Sequence, residues 1–226
     1  MGIRENLLSV QKRIEQARRN APSPDAPVGL IGITKEVPLE GLREAVQGGL
    51  LDLGENRVQE AREKIPELPQ VRWHMVGHLQ RNKAKEAIGL FHLIHSVDSF
   101  RLAEALEQEA SRLGKEISVL LQVKLHERAT QYGVKPEEVF PLARAVAGME
   151  HLRLLGLMTI APLSEEPEAS RPCFRCLREL KEALEKEKNP RVEMRYLSMG
   201  MSQDFEVAVE EGANLVRIGR AIFGKR

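Results

Sequence analysis

The sequence has 226 residues, 30% of them charged, with a formal net charge of +1 and two cysteines. That length can bury a sizeable core in one large domain or two small ones. The charge balance excludes a global basic field for nucleic acid and an acidic tail. Two cysteines are too few for a disulfide framework, and no apolar run approaches the roughly 20 residues that span a bilayer. The segment Met1-Gly2-Ile3-Arg4-Glu5-Asn6 lacks the apolar core of a signal peptide and, with Asn6, misses the lipidation pattern. A cytoplasmic location is expected.

In chain order, Ile3, Leu7, Val10, Ile14 and Ala17 recur at spacings of four and three, which predicts an amphipathic helix ended by the prolines between Asn20 and Pro27. The run from Val28 to Lys35 predicts a first strand. A short helix follows from Pro38 to Gln47, closed by Gly48-Gly49. Further strands are predicted at 50–54, 71–76, 93–97, 117–123, 152–158, 194–197 and 215–218, from short apolar runs bounded by turn residues. Helical periodicity falls between them: 57–65, stopping at Pro66, then 82–88, 102–113, 136–147, a face of Phe174, Leu177, Leu180 and Leu184, and 205–211. The stretch from Ala161 to Pro172 is polar and proline-rich and predicts a mobile loop. Strand and helix alternate about eight times behind an extra helix, so the expected fold is a (β/α)8 TIM-type barrel with an extra N-terminal helix, as one domain over 1–226. A doubly wound open sheet is the alternative.

Barrel sites sit at the C-terminal ends of the strands. Those ends read Thr34-Lys35, Gly54-Glu55-Asn56, Gly77-His78, Ser96-Val97-Asp98, Lys124, Met158-Thr159, Ser198-Met199-Gly200-Met201-Ser202 and Arg217-Ile218-Gly219-Arg220. Polar and small residues gather there while the strands are apolar. The loops after the seventh and eighth strands are where this fold commonly binds phosphate. Ser198 and Ser202 bring hydroxyls, Gly200 and Gly219 permit close backbone approach, and both loops lead into helices. The competing interpretation is ordinary helix capping by Ser202 or Asp204. Strand alternation sets Arg217 opposite Val216 and Ile218; if these two pack outward, Arg217 points into the barrel, where a guanidinium needs an anion or acceptor.

Lys35 can be read in two ways. A lysine at a strand end can snorkel into solvent. Held at a barrel mouth, burial would lower its pKa and free the amine as a nucleophile. A lysine nucleophile, an anion cradle and an inward arginine together suggest a phosphorylated carbonyl compound bound as a Schiff base, and pyridoxal phosphate fits.

These motifs resemble those of a known family. Thr34-Lys35, Gly54-Glu55-Asn56 with Gln59-Glu60, Trp73-His74, Gly77-His78-Leu79-Gln80 with Asn82-Lys83, His95-Ser96-Val97-Asp98, Gly156-Leu157-Met158-Thr159, Ser198 to Ser202 with Asp204-Phe205, and Val216-Arg217-Ile218-Gly219 with Ile222-Phe223-Gly224 resemble the pyridoxal-phosphate homeostasis protein family over nearly the whole chain. The fold of that family is similar to the N-terminal barrel of alanine racemase. The resemblance implies that Lys35 carries the cofactor and that the Ser198–Ser202 loop and Gly219 hold its phosphate, with Arg217 near the ring nitrogen or phosphate. Arg220 departs from the small hydroxyl residue expected there, so only its backbone is expected to serve. Asn56, His78, Met199 and Gly200 complete the expected cofactor-binding set; no metal is expected.

Weaker signals have plainer explanations. Cys173-Phe174-Arg175-Cys176 lies on an amphipathic helix with no further cysteine to complete a zinc site. Strand alternation is expected to scatter His74, His78, His92 and His95. The basic run from Arg81 to Lys85 is short and reads as a solvated helix face, so no nucleic-acid partner is expected. For function, a non-enzymatic carrier that buffers or delivers pyridoxal phosphate competes with an amino-acid racemase. A racemase needs acid–base groups on both faces of its substrate. The chain stops at Arg226, without the further domain that completes the alanine racemase site, and an arginine at the pyridine nitrogen weakens the electron sink. Both points favour the carrier, a monomer with apo-enzymes as its recipients.

Overall fold

The structure, a computed structural model, describes residues 2–126, 132–189 and 191–224; Arg226 lies outside them. Eight parallel strands close into a barrel in sequence order. They are β1 (Gly29–Ile33), β2 (Asp52–Glu55), β3 (Arg72–Met75), β4 (Leu93–Val97), β5 (Ile117–Gln122), β6 (Leu152–Met158), β7 (Val192–Ser198) and β8 (Leu215–Ile218). The helices are α1 (Ile3–Arg18), α2 (Leu39–Gln47), α3 (Val58–Lys64), α4 (Ala84–Leu90), α5 (Phe100–Leu113), α6 (Val139–Ala147), α7 (Arg171–Lys186), α8 (Phe205–Glu210) and α9 (Arg220–Phe223). The expected (β/α)8 barrel with a leading helix is what the chain forms, and no helix among the described residues is long and apolar enough to cross a membrane.

Closure follows from register. Ile31 pairs with Arg217 of β8 on one side and Asp52 of β2 on the other. Val216 and Ile218 are fully buried against the helical layer, so the intervening Arg217 points into the barrel, as alternation predicts. The large apolar core lies between strands and helices. A smaller cluster of Ile31, Leu93, Leu120, Leu155, Met158 and Leu215 fills the barrel itself.

α1 turns Leu7, Val10, Ile14 and Ala17 inward, each a burial worth up to about 1.5–3 kcal/mol for the larger side chains. It packs on α8 and α9. Arg13 forms a fork to Glu206 at 2.9 and 2.7 Å, and Asn6 Nδ2 donates to Ile222 O at 3.0 Å.

Proline punctuation differs from expectation in two places. Pro66 does not stop the third helix abruptly; a 3-10 turn, Ile65–Glu67, continues it with the proline in its first positions. The 161–172 segment is not all loop. It carries a 3-10 turn at Pro167–Ser170, and α7 already begins at Arg171 with Pro172 in its first turn. A proline there forfeits only an N–H that has no intrahelical partner anyway.

Candidate cofactor site at the barrel mouth

β1 ends at Ile33, and the chain turns at once. Val37 N donates to Thr34 O at 3.0 Å, which closes a tight turn with Lys35 and Glu36 at its corner. Glu36 has φ 58°, a left-handed conformation that costs a non-glycine residue about 1 kcal/mol. The turn is held from beneath. The Thr34 hydroxyl lies 3.1 Å from Gly54 O and 2.5 Å from Glu55 Oε1. Lys64 Nζ, from α3, donates to Thr34 O at 2.8 Å and Glu55 Oε1 at 2.6 Å, and Asn56 N donates to Glu55 Oε2 at 3.1 Å. Glu55 is wholly buried and Lys64 nearly so, so this ion pair is a fixed clamp under the turn. Lys35 then projects upward with 44% of its side chain exposed, its amine 3.5 Å from Glu36 Oε1.

Opposite stand the loops after β7 and β8. Asp204 shapes the first: its Oδ1 accepts from Met201 N at 2.6 Å and its Oδ2 from the Ser170 hydroxyl at 3.2 Å. Gly200 has φ 89°, and a Cβ there would meet Ala208 Cβ at 2.6 Å, so the loop folds tightly onto α8 only with glycine. Ser202 Oγ accepts from Ala221 N at 3.2 Å and ties the two loops together. Below them lies Arg217, 4% exposed. Its Nη1 donates to Ser198 Oγ at 2.7 Å and its Nη2 to Thr159 O at 2.8 Å. Burial pushes the guanidinium down to about 10, and among the described residues no carboxylate lies within ion-pair distance of it.

Two adjoining cavities of about 360 Å³ open above Arg217. Lys35, Ser202, Gly219 and Arg220 line the first. Asn56, Gly77, His78, Gln122 and Tyr132 line the second. Ile33, Leu163, Met201 and Arg217 border both. In the second, the His78 ring stacks on Tyr132 at 3.6 Å and its Nδ1 lies 3.2 Å from Asp98 Oδ2. Gly77 makes the wall possible: a Cβ there would sit 2.3 Å from Asn56 O.

Comparison with known proteins places this arrangement. Residues 6–226 match the family described as alanine racemase, N-terminal domain. A pyridoxal phosphate homeostasis protein of Aquifex aeolicus is 42% identical over 228 residues, covering 100% of this chain and 99% of the relative. The chain belongs to the pyridoxal phosphate homeostasis protein family. The human member is 34% identical over 241 residues, covering 100% of this chain and 87% of that protein. Among solved structures, the family member PipY of Synechococcus elongatus, with pyridoxal phosphate bound, is 36% identical with a TM-score of 0.85, covering 98% of this chain and all of that one. Alanine racemase of Clostridium difficile shares the fold at TM-score 0.75 and 16% identity, with this chain matching 60% of its length.

The structure distributes the sequence-derived site residues unevenly over this family scaffold. Lys35, Ser202, Arg217, Gly219 and Arg220 meet at one cavity, and Asn56 and His78 face its neighbour. Ser198, Met199 and Gly200 sit behind the lining. β7 runs through Ser198, whose inward side chain lies one layer below the mouth, between Arg217 and His95 Nδ1 at 2.8 Å. Met199, of opposite parity, is buried in the outer core, and Gly200 gives its carbonyl to Arg217 N at 3.0 Å. A second difference concerns Lys35, whose side chain is half-exposed. A third concerns the histidines. His74 and His95 were expected to scatter, yet β3–β4 register pairs His74 with Leu93, which shares its face with His95, and His74 Nδ1 lies 3.0 Å from His95 Nε2. Sequence reasoning also gave no place to the Glu55–Lys64 clamp, whose only sequence signal is a charge set at a strand end. Cys173 of the C-x-x-C is buried, which raises its thiol to about 11.

Proposed function

We propose that this chain binds pyridoxal 5'-phosphate in the first cavity and serves pyridoxal phosphate homeostasis by holding and releasing the cofactor. The observation that carries the reading is Arg217: a buried guanidinium with no carboxylate at ion-pair distance among the described residues, only the more distant charge of Asp204, beneath a cavity whose rim presents a reachable lysine amine. That donor set suits a ligand with an anionic group, an acceptor atom and a carbonyl. The bound cofactor supplies an aldehyde that condenses reversibly with a primary amine. Lys35 presents that amine, and the Glu36 carboxylate keeps its proton close while it is free. Ser202 and the Gly219–Arg220 backbone line the end suited to phosphate, and Arg217 donates from below.

Two features support a carrier over a racemase. The half-exposed Lys35 would leave a carbonyl ligand held there within reach of an incoming amine or acceptor, whereas carbanion chemistry needs water excluded. The wall across from it offers His78, whose ring is already stacked on Tyr132 and paired with Asp98. The names of the curated relatives agree with this reading. Delivery to apo-enzymes is part of the proposal.

The test is borohydride reduction of loaded protein with peptide mapping, alongside incubation with alanine in deuterated buffer. The modified peptide is expected to contain Lys35, with no appreciable α-proton exchange. A label on another lysine removes Lys35 from the site; rapid exchange that depends on Lys35 replaces the carrier by an enzyme.

A further inference from the structure

A file of polar side chains runs through the barrel interior, where this fold usually stacks Val, Ile and Leu. At the floor, Asp52 accepts a fork from Arg72 at 2.8 and 2.6 Å. Asp52 Oδ1 also lies 2.9 Å from His74 Nε2. His74 Nδ1 meets His95 Nε2 at 3.0 Å, His95 Nδ1 meets Ser198 Oγ at 2.8 Å, and Ser198 Oγ accepts from Arg217 Nη1 at 2.7 Å. His95 and Ser198 are fully buried. A buried polar chain of this kind is favourable only when every member is satisfied, and an apolar filling would be no less stable.

The chain has one direction. Despite burial, hydrogen bonds from His74 and Arg72 hold the Asp52 carboxyl at about 2, so it only accepts. His74 must therefore carry its proton on Nε2. Where each imidazole carries a single proton, His74 Nδ1 is an acceptor and His95 donates to it from Nε2. Burial keeps His95 neutral, its pKa well below the usual imidazole value. His95 Nδ1 is then bare and accepts the Ser198 hydroxyl proton. The Ser198 oxygen is left with lone pairs facing Arg217, and every donor points toward Asp52.

We infer that Asp52, His74, His95 and Ser198 are positioning residues for Arg217: they commit the Ser198 proton to His95, turn the oxygen's lone pairs to Arg217, and so hold the guanidinium in place beneath the proposed cofactor cavity. This rests on the proposed cofactor site, but its geometry is testable without cofactor. Thr159 O holds the other arm of the guanidinium at 2.8 Å, so the two anchors set its plane. Without Ser198 and His95 behind it, Arg217 can swing between the two cavities it borders.

The first test is nitrogen-detected NMR of histidine-labelled, cofactor-free protein near pH 7.5. His74 and His95 are expected as neutral Nε2–H tautomers. Either one as an Nδ1–H tautomer or an imidazolium overturns the orientation, whatever the cofactor reading. The second is a cycle of cofactor affinities. Ser198→Ala and His95→Leu are each expected to weaken pyridoxal phosphate binding about tenfold, the scale of a lost bond to a charged donor. His95→Asn, which keeps an acceptor where Nδ1 stands, is expected to recover most of the loss. In an Arg217→Ala background both effects are expected to vanish, because positioning acts through Arg217. Equal losses in both backgrounds refute positioning in favour of general support of the fold. Unchanged affinity in Arg217→Ala alone refutes the cofactor reading itself. If His95→Leu does not fold, Ser198→Ala and His95→Asn decide the matter.

Discussion

Replacing Lys64 by methionine tests the clamp under the Lys35 turn. The substitution keeps the length of the side chain and removes the ammonium that lies 2.6 Å from Glu55 Oε1 and 2.8 Å from Thr34 O. Thr34 O retains Val37 N as a donor, so it is not orphaned. Glu55 is worse placed. It is wholly buried, and Thr34 Oγ1 and Asn56 N are its other partners. A carboxylate left buried without its counter-charge typically costs 3–5 kcal/mol, so Lys64→Met is expected to lower stability by about 3–5 kcal/mol. For a chain of this size that is a fall in Tm of about 6–20 °C. Glu55→Gln combined with Lys64→Met removes both charges, keeps an acceptor for Asn56 N, and is expected to cost only about 1–2 kcal/mol. Urea unfolding of the parent, both single variants and the double variant measures the coupling, expected to be at least about 2 kcal/mol. A Lys64→Met protein within about 1 kcal/mol of its parent, or a double variant as unstable as the single, refutes the argument that Glu55 is a buried, compensated charge.

Three further outcomes follow from the same geometry. Gly77→Ala drives a Cβ to within 2.3 Å of Asn56 O; since backbone must move, a loss of roughly 2 kcal/mol or more is expected in thermal unfolding, with weaker cofactor retention, and an unperturbed variant would contradict the close approach. Glu36→Asn relieves the left-handed conformation at φ 58° and is expected to stabilise the protein by about 0.5–1 kcal/mol, whereas a destabilised variant would mean that the Glu36 carboxylate matters more than its backbone. Acid sensitivity has a definite sign. His95 and Asp52 both hold protons less readily folded than unfolded, so the unfolded chain takes up more protons and stability falls with pH. The His95 share is full above 6.5 and declines below it by up to about 1.4 kcal/mol per pH unit, and the Asp52 share, about 2 kcal/mol, is lost between 3.8 and about 2. Denaturant midpoints measured from pH 7 to 5 should fall less steeply in His95→Asn; identical slopes would remove His95 as the cause.

The barrel was legible because its strands are short apolar runs and its helices carry a single apolar face, a pattern that survives without any knowledge of contacts. The mouth was legible for the same reason: once strand ends are placed, Lys35, Ser202, Arg217 and Gly219 fall on one rim. Depth was not legible. Ser198 looked like a rim residue because its strand was predicted to end one residue earlier, and a single residue moves a side chain a whole layer down. The pairing of His74 with His95 depends on the stagger between two strands, which neither strand encodes alone. The exposure of Lys35 depends on the turn at Glu36, a left-handed residue that is neither glycine nor asparagine and so gives no sign in the sequence.

The bond from Asn6 to Ile222, 216 residues apart in sequence, and the pairing of β1 with β8 have a consequence for how the protein comes into being. Lys35 leaves the ribosome long before Gly219. The cavity at the barrel mouth therefore forms only after both Lys35 and Gly219 have been made, and β1 and β8 must find each other across most of the molecule, a slow search for a fold rich in non-local contacts. A ligand that recognises only the closed ring then acts as a latch, stabilising it by about 2.7 kcal/mol at a hundredfold excess over its Kd. Cofactor supply is thereby written into how long newly made molecules of this chain stay shut.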